Sequence, residues 1–384
     1  MNWISDARPT VAKSYENGAP KSIAIDPLQP EFEPARWSIP FKPAKIMAIP
    51  QHGWRLRVTR GMLEIGARGV SDTLYLEPAE LRKRAIYLLN SSGVIYGGAI
   101  PWCLENNVLL AMRVEQDDIF NVDHRTSFVV LTEENILQKP TTRARQYAAA
   151  PLPIAKALLR EQFRRMAKEL KSVDRECARY ELWLNKSRSI RELMHAEGHV
   201  ARTYWHLRAF RLQFSDDKTF PTRWRVFRQR KSRVLGSNNQ NATHPINALL
   251  NYSYAIVAAQ LRRAIVASGL DPCFGYLHAD LDYRDNLAYD LMELLRCRID
   301  TDVLSWARRR VWKRSDFFVF LNGVVRLPDE LAAALVPVAL RTDAELECAI
   351  ALMLRWIRLS SSTRTRQTPR TRGVSESHQA STPD

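Results

Sequence analysis

The chain has 384 residues, 46% of them hydrophobic, which is long enough for two ordinary domains and too apolar for a disordered scaffold. Its 57 Lys and Arg against 41 Asp and Glu give a formal charge of +16 and a pI near 9.8. This charge favours a polyanionic partner, and nucleic acid is the first candidate. The alternative is that the positive charge only keeps the protein soluble. The five cysteines are scattered without CxxC spacing, so they indicate neither a disulfide framework nor a zinc site.

The N-terminal third of the sequence predicts a proline-rich arm followed by a compact β-rich domain. Residues 1–44 carry many prolines and little periodicity, and residues 45–137 hold short β-branched or aromatic segments between glycine and asparagine turns. The predicted strands are Trp54 to Val58, Met62 to Ile65, Thr73 to Leu76, Ala85 to Leu89, Val94 to Tyr96 and Val108 to Val114.

The remainder of the sequence predicts helices. Residues 138–150 contain Pro140 and are interpreted as a linker, and the hydrophobic period then becomes helical over 151–358. Residues 359–384, rich in Ser, Thr and Arg, predict a disordered tail. The predicted fold is therefore α+β, a small β-rich N-terminal domain followed by a larger all-helical catalytic domain. We find no signal-peptide pattern and no apolar run of membrane-spanning length, so we expect a cytoplasmic protein without a membrane span.

Two helix boundaries carry recognisable signals. Ser189 and Glu192 have the spacing of a capping box at a helix start. Another helix is predicted from about Pro245 to Ser268, because Pro is common at a first turn and Gly269 follows the last apolar residue.

A carboxylate lies within the apolar stripe of the helix that begins at Ser189. Glu197 follows Leu193 and Met194 at helical spacing and precedes further apolar residues. A buried acid needs a cation, a metal or several donors, which makes Glu197 a candidate site residue. The alternative is a glutamate at the edge of the stripe that reaches solvent. Gly198 is expected to let another group approach closely.

A second group of polar residues follows the helix predicted from Pro245 to Ser268. His278 ends an apolar run, and Asp290 and Glu293 stand twelve and fifteen residues later, three apart on one predicted helix face. Two acids and an imidazole form a mixed oxygen and nitrogen site that suits manganese or magnesium. The alternatives are a core histidine and a solvated helix face.

A basic stretch interleaves cations with Trp224 and Phe227. Cations can neutralise phosphates and exposed rings can stack on unpaired bases, so the stretch is a candidate DNA-binding segment, with an ordinary solvated helix as the alternative. The candidate DNA-binding residues are Arg223, Arg225, Arg228, Arg230, Lys231 and Arg233.

Three segments together resemble the CRISPR-associated integrase family, the catalytic subunit of spacer acquisition often called Cas one. They are Asn247 to Tyr254, Gly269 to His278 and Asp290 to Glu293, and Glu197 with Gly198 resembles the glutamate helix of that family. The resemblance extends over roughly residues 45–338. Cys297 departs from it, because the family usually has proline there.

This resemblance implies a homodimer that acts on duplex and branched DNA and joins a small adaptation partner, Cas two. The implied reaction inserts DNA into a repeat array by attack of a 3'-hydroxyl. It also implies that Glu197, His278 and Glu293 bind a divalent metal, Mg2+ or Mn2+, while Asp290 lies beside the site and orients it. Two alternatives stay open, a stand-alone structure-specific nuclease for branched DNA in repair or a mobile element, and a catalytically silent DNA-binding subunit.

Overall fold

The computed structural model describes residues 15–16, 19–20, 46–70, 73–77, 85–90, 92–106, 108–116, 125–131, 139–170, 174–215, 221–234, 241–278 and 285–365. A strand-rich N-terminal region precedes a helical C-terminal part, as the sequence predicts. The strands of the first region are β1 (Tyr15–Glu16), β2 (Ala19–Pro20), β3 (Ile46–Ile49), β4 (Trp54–Thr59), β5 (Met62–Gly66), β6 (Leu74–Leu76), β7 (Ala85–Leu88), β8 (Gly93–Ile95), β9 (Leu109–Gln116) and β10 (Arg125–Leu131).

Two four-stranded sheets form the strand-rich region, with strand orders β10-β9-β7-β3 and β6-β5-β4-β8. Side chains alternate across the first sheet: Ile86 and Leu88 pack between the two sheets, whereas Tyr87 packs against the helices. A short helix that the sequence did not predict, α1 (Ala99–Glu105), adds Trp102 to the core between the sheets. The first sheet is thus buried on both faces and joins the two parts of the chain.

The helical part consists of long helices around two central ones. The helices are α2 (Pro140–Ala148), α3 (Pro151–Leu170), α4 (Asp174–Lys186), α5 (Ile190–Leu207), α6 (Pro245–Ser268), α7 (Asn286–Arg308), α8 (Asp329–Ala339) and α9 (Asp343–Thr365). Helices α6 and α7 pack against each other and are buried on most sides. Helix α5 begins where the sequence predicts, and Ser189 Oγ caps it by accepting from Glu192 N at 3.2 Å. The Glu192 carboxylate accepts from Arg188 N at 2.8 Å, one residue before the position that completes a capping box. Gly269, with φ of 82°, ends α6 as predicted.

The described part of the predicted all-helical region also contains short strands, so that prediction is wrong in detail. The strands are β11 (Phe210–Arg211), β12 (Gln213–Phe214), β13 (Val226–Phe227), β14 (Val311–Trp312), β15 (Phe318–Val319) and β16 (Val325–Arg326). They form the pairs β11-β13, β12-β14 and β15-β16. Such two-residue pairs are too short to leave a period in the sequence.

Two predicted boundaries also differ from the structure. The predicted linker 138–150 contains helix α2, because Pro140 stands in a first turn, where proline is tolerated. Residues 359–365 of the predicted disordered tail continue helix α9, while the prediction for 366–384 lies outside the described residues. Of the predicted arm, only the β1-β2 pair is described. No helix of the described segments has the length and apolar character needed to cross a bilayer.

Candidate active site

Helix α5 places Glu197 beside a buried apolar face. Leu193, Val200 and Tyr204 are buried at helical spacing, whereas Met194 is exposed, so the buried stripe is narrower than the sequence indicated. Glu197 is half-buried at the edge of this stripe. The expected close neighbour of Gly198 is absent from the described residues, since nothing lies within 4 Å of a Cβ built there.

A short loop before α7 holds His278. Gly275 is required in this loop, because an added Cβ would lie 2.9 Å from Asn286 Cβ. From helix α2, the buried Gln146 donates to the carbonyls of Asp271 and Phe274 at 3.0 Å each and accepts from Asp271 N at 2.8 Å. The segment predicted as a linker therefore anchors the histidine loop.

Asp290 holds His278 from helix α7. Its fully buried carboxylate accepts hydrogen bonds from the backbone N–H of Tyr276, Leu277 and His278 at 2.5, 3.1 and 3.1 Å. Asp290 Oδ1 also lies 2.8 Å from His278 Nδ1. Because Nδ1 faces Asp290, Nε2 is the nitrogen that would be offered to a metal.

Glu293 lies one turn after Asp290 and is 2% exposed. Gln162 of helix α3 donates its amide N–H to Glu293 Oε2, and Arg296 Nη1 lies 2.8 Å from Glu293 Oε1. Gln162 Oε1 is buried without a partner among the described residues. Both oxygens of Glu293 are therefore held by neighbouring side chains, next to a buried acceptor that lacks a donor.

Electrostatic effects connect Glu293, Glu197 and His278. Burial and the charge of Glu197 together raise the pKa of Glu293 to about 7, against the opposing charges of Arg296 and His278. Burial lowers the pKa of His278, but its hydrogen bond to Asp290 and the charge of Asp290 outweigh burial, so the pKa is raised. The charge of Glu197 acts on Arg296 as well. Helices α5 and α7 and the histidine loop thus face a common region rich in negative charge.

The donor set of this region fits a hard divalent cation. Two carboxylates and an imidazole are the ligand types that magnesium and manganese accept, and a carboxyl group whose pKa is raised by a second acid is stabilised by an added cation. Within the described residues, however, no three His, Cys, Asp or Glu side chains are close enough to hold an ion together. In this arrangement the carboxylate of Glu293 contacts Arg296 and Gln162.

The basic stretch differs from the sequence expectation in two ways. Its aromatic residues cannot stack on a base, since Trp224 is 0% and Phe227 1% exposed. It is also no helix: a 3-10 turn (Thr222–Trp224) leads into β13 and an extended segment. Five of the predicted DNA-binding cations are exposed, namely Arg223, Arg225, Arg228, Lys231 and Arg233.

Arg230 differs from those five cations because it packs inwards. Its guanidinium donates to Asn251 Oδ1 at 2.6 Å and lies 4.8 Å from the ring centroid of Tyr254. Arg296 also lies over Tyr254, at 5.2 Å. Arg230 therefore connects the basic stretch to the region of Glu293.

A buried polar network beside Glu293 was missed at the level of the sequence. Asp300 accepts hydrogen bonds from Tyr204 at 2.9 Å and from Tyr254, and it is fully buried. A signal was present, because Glu293, Arg296 and Asp300 recur at spacings of three and four on α7. Gln162 likewise interrupts the apolar face of α3.

Comparisons with known proteins identify the family to which this chain is similar. The family model for the CRISPR associated protein Cas1 matches residues 65–337. A CRISPR-associated endonuclease Cas1 of Pyrobaculum aerophilum is 32% identical over 176 residues, which cover 42% of this chain and 52% of the relative. The matched segment thus spans about half of that relative's length.

Solved structures share the fold at low sequence identity. A casposase bound to its integration product gives a TM-score of 0.61 at 22% identity, covering 85% of this chain and 92% of the casposase. A Cas1 protein from Thermotoga maritima gives 0.61 at 16% identity, covering 85% of this chain and all of that protein. Because the family model spans well over half of the residues, including Glu197, His278, Asp290 and Glu293, the chain belongs to the Cas1 family of CRISPR-associated proteins.

Proposed function

We propose that this protein is a divalent-metal-dependent DNA nuclease and integrase that inserts DNA fragments into a CRISPR repeat array. The observation that carries the proposal is the buried pairing of Asp290 with His278 next to Glu293, whose pKa responds to Glu197. Buried acids around an imidazole are costly unless a cation or reaction uses them. Family membership supports the choice of DNA as the substrate.

In this proposal Glu197, His278 and Glu293 hold Mg2+ or Mn2+, which when bound polarises a phosphodiester for in-line attack. Asp290 keeps the proton on His278 Nδ1 and directs Nε2 into the site. Arg296 and Gln162 position Glu293 and limit the repulsion between it and Glu197. No protein nucleophile is required.

The reaction proposed is a transesterification. The oxygen of a DNA 3'-hydroxyl forms a bond to phosphorus, the ester bond to the leaving 3'-oxygen breaks, and the proton of the attacking hydroxyl passes to solvent or to the leaving oxygen. With water as the nucleophile, the same site would hydrolyse DNA. The exposed cations between Arg223 and Arg233 would neutralise phosphates of the bound DNA.

An integration assay tests this proposal. Labelled DNA with free 3'-hydroxyl ends is incubated with a supercoiled plasmid carrying a repeat array, with Mg2+, Mn2+ or a chelator. We expect covalent joining only with metal, and its loss in Glu197→Ala, His278→Ala and Glu293→Ala proteins that still bind DNA. Joining by Glu197→Ala at the wild-type rate would overturn the site assignment.

The same assay, run also with a branched DNA as substrate, separates the alternatives. Cleavage of branched DNA without joining would favour a stand-alone structure-specific nuclease, and DNA binding without either reaction would favour a catalytically silent subunit. We further propose a homodimer that assembles with Cas two, as its family membership suggests. Sedimentation of the protein alone and with the partner measures both associations.

A further inference from the structure

A hairpin formed by β15 and β16 presents apolar side chains to solvent. Leu321 at its tip is fully exposed, and Phe318 is 61% exposed. Phe320 is also more than half exposed. Single exposed apolar residues are common, but several on one projecting element indicate a contact surface.

Hydrogen bonds and a glycine turn define the shape of the hairpin, and buried aromatic rings hold its base. Gly323 N donates to Phe320 O at 2.8 Å, and Gly323 adopts φ of 81°, which favours glycine at this turn. Asn322 Oδ1 accepts from Val324 N at 3.0 Å. At the base of the hairpin, Phe317 is buried. The centroid of its ring lies 5.2 Å from the ring centroid of Trp312 and 6.0 Å from that of Trp224.

The segment that leads into the hairpin is strongly basic. Residues 308–323 contain five cations and a single acid, Asp316, whose carboxylate already accepts from Lys313 N at 2.7 Å. The cations are Arg308, Arg309, Arg310, Lys313 and Arg314. The centre of a protein–protein interface usually contains few charged residues. Apolar residues surrounded by cations are instead suited to DNA, because the apolar residues can contact bases and the cations can contact phosphates.

Tertiary contacts join this surface to the other basic stretch. The guanidinium of Arg314 lies 5.6 Å over the Trp224 ring, and Val325 N donates to Ala242 O at 2.7 Å. Trp224 belongs to the stretch 223–233, and Ala242 precedes α6. Two basic segments about eighty residues apart in sequence therefore meet at the hairpin, and Arg230 links them to the region of Glu293.

We propose that the β15-β16 hairpin inserts Leu321 and Phe318 against nucleobases where a DNA duplex is interrupted or unpaired. Apolar side chains that enter a base stack must displace stacked bases, which requires least free energy at gaps and branch points. The surrounding cations would hold the flanking phosphates. The proposal deepens the proposed function, on which it rests, by assigning a preference for interrupted DNA.

The test compares affinity for an intact duplex and for the same duplex with a single-stranded gap, in the presence of a chelator. For the wild type we expect tighter binding to the gapped DNA. Phe318→Ser combined with Leu321→Ser should reduce that preference by about tenfold, because stacked bases contribute strongly to such binding. Affinity for intact duplex and its salt dependence should stay unchanged, since the cations remain.

Matched variants keep this test decisive. Leu182→Ser removes another exposed leucine, on α4 and outside the basic segments, and should leave the preference intact. Leu321→Trp should retain it, because indole stacks well on bases. The single variant Leu321→Ser should also lower the preference for gapped DNA. Because Leu321 is fully exposed, this variant should fold even if the double variant does not.

Three results would overturn the inference. They are no preference for gapped DNA in the wild type, an unchanged preference in the variants, and a variant that alters only self-association in solution, which would make the hairpin a protein contact. Since the assay contains no metal, failure of integration with an intact gap preference would count against the proposed catalysis and not against the hairpin.

Discussion

Four hydrogen bonds converge on the buried carboxylate of Asp290, three from backbone N–H groups and one involving His278 Nδ1. In Asp290→Asn an amide NH2 replaces one acceptor oxygen and faces these donors. We expect a loss of about 1–3 kcal/mol in the free energy of unfolding, together with weaker activity and some remaining metal affinity. Urea denaturation and Mn2+ calorimetry measure the two effects, and a variant of wild-type stability would contradict this account.

Glu293→Gln should behave differently, because burial raises the folded pKa of Glu293 to about 7. The unfolded carboxyl has a pKa of about 4.3, so the folded state binds the extra proton and the wild type loses stability as pH rises between these values. The glutamine variant lacks this loss. Its stability relative to wild type should therefore increase as pH rises from about 4.3 to about 7 and level off above that range, while metal binding disappears. Denaturation at several pH values measures the difference, and a difference independent of pH would contradict the shift.

At the scale of elements, helix α5 carries Glu197 next to a glycine without close neighbours. Gly198→Ala should raise the free energy of unfolding by about 1 kcal/mol, because alanine restricts the unfolded backbone and, apart from its chain neighbours and its own helix backbone, no described atom lies within 4 Å of the new Cβ. Gly269→Ala is the matched control and should destabilise, since its Cβ would lie 2.5 Å from Lys139 Cβ at a positive φ.

Thermal or urea unfolding of both glycine variants tests this contrast. A destabilised Gly198→Ala protein would show that the space beside Glu197 is smaller than described. A stabilised variant with reduced integration would show instead that DNA occupies the space in the reacting complex.

At the scale of the whole molecule, the charge of +16 predicts DNA affinity that depends strongly on salt and little on sequence. Alanine at Arg223, Arg225 and Arg228, all exposed, should reduce the slope of log affinity against log salt by roughly two to three units on duplex DNA. Every duplex should be weakened alike.

Arg230→Ala provides the comparison within the same stretch. Because Arg230 packs on Tyr254 and donates to Asn251, its removal should lower stability and integration while changing the salt slope by less than the triple variant does. Fluorescence anisotropy over a range of salt concentrations measures both slopes. Equal slopes in the wild type and the triple variant would show that other cations, such as those between Arg308 and Arg314, contact the DNA phosphates.

The sequence by itself determined the features that depend on neighbouring residues. Short β-branched or aromatic segments between turn residues marked most strands of the first region, the Ser189 and Glu192 pair marked the start of α5, and Gly269 marked the end of α6. The spacing of Asp290 and Glu293 on one helix was also readable, because side chains three residues apart share a face. One local signal was misleading, because Pro140 was interpreted as part of a linker, whereas a helix begins at that residue.

Tertiary structure decided which of these residues meet. Gln162 reaches Glu293 across 131 positions, Gln146 holds the histidine loop across 125, and the hairpin joins the other basic stretch. Arg230, indistinguishable from its basic neighbours in the sequence, turns inwards onto Tyr254. Local periodicity carries no information on such contacts, since each results from the packing of whole helices and strands whose hydrophobic faces allow more than one partner.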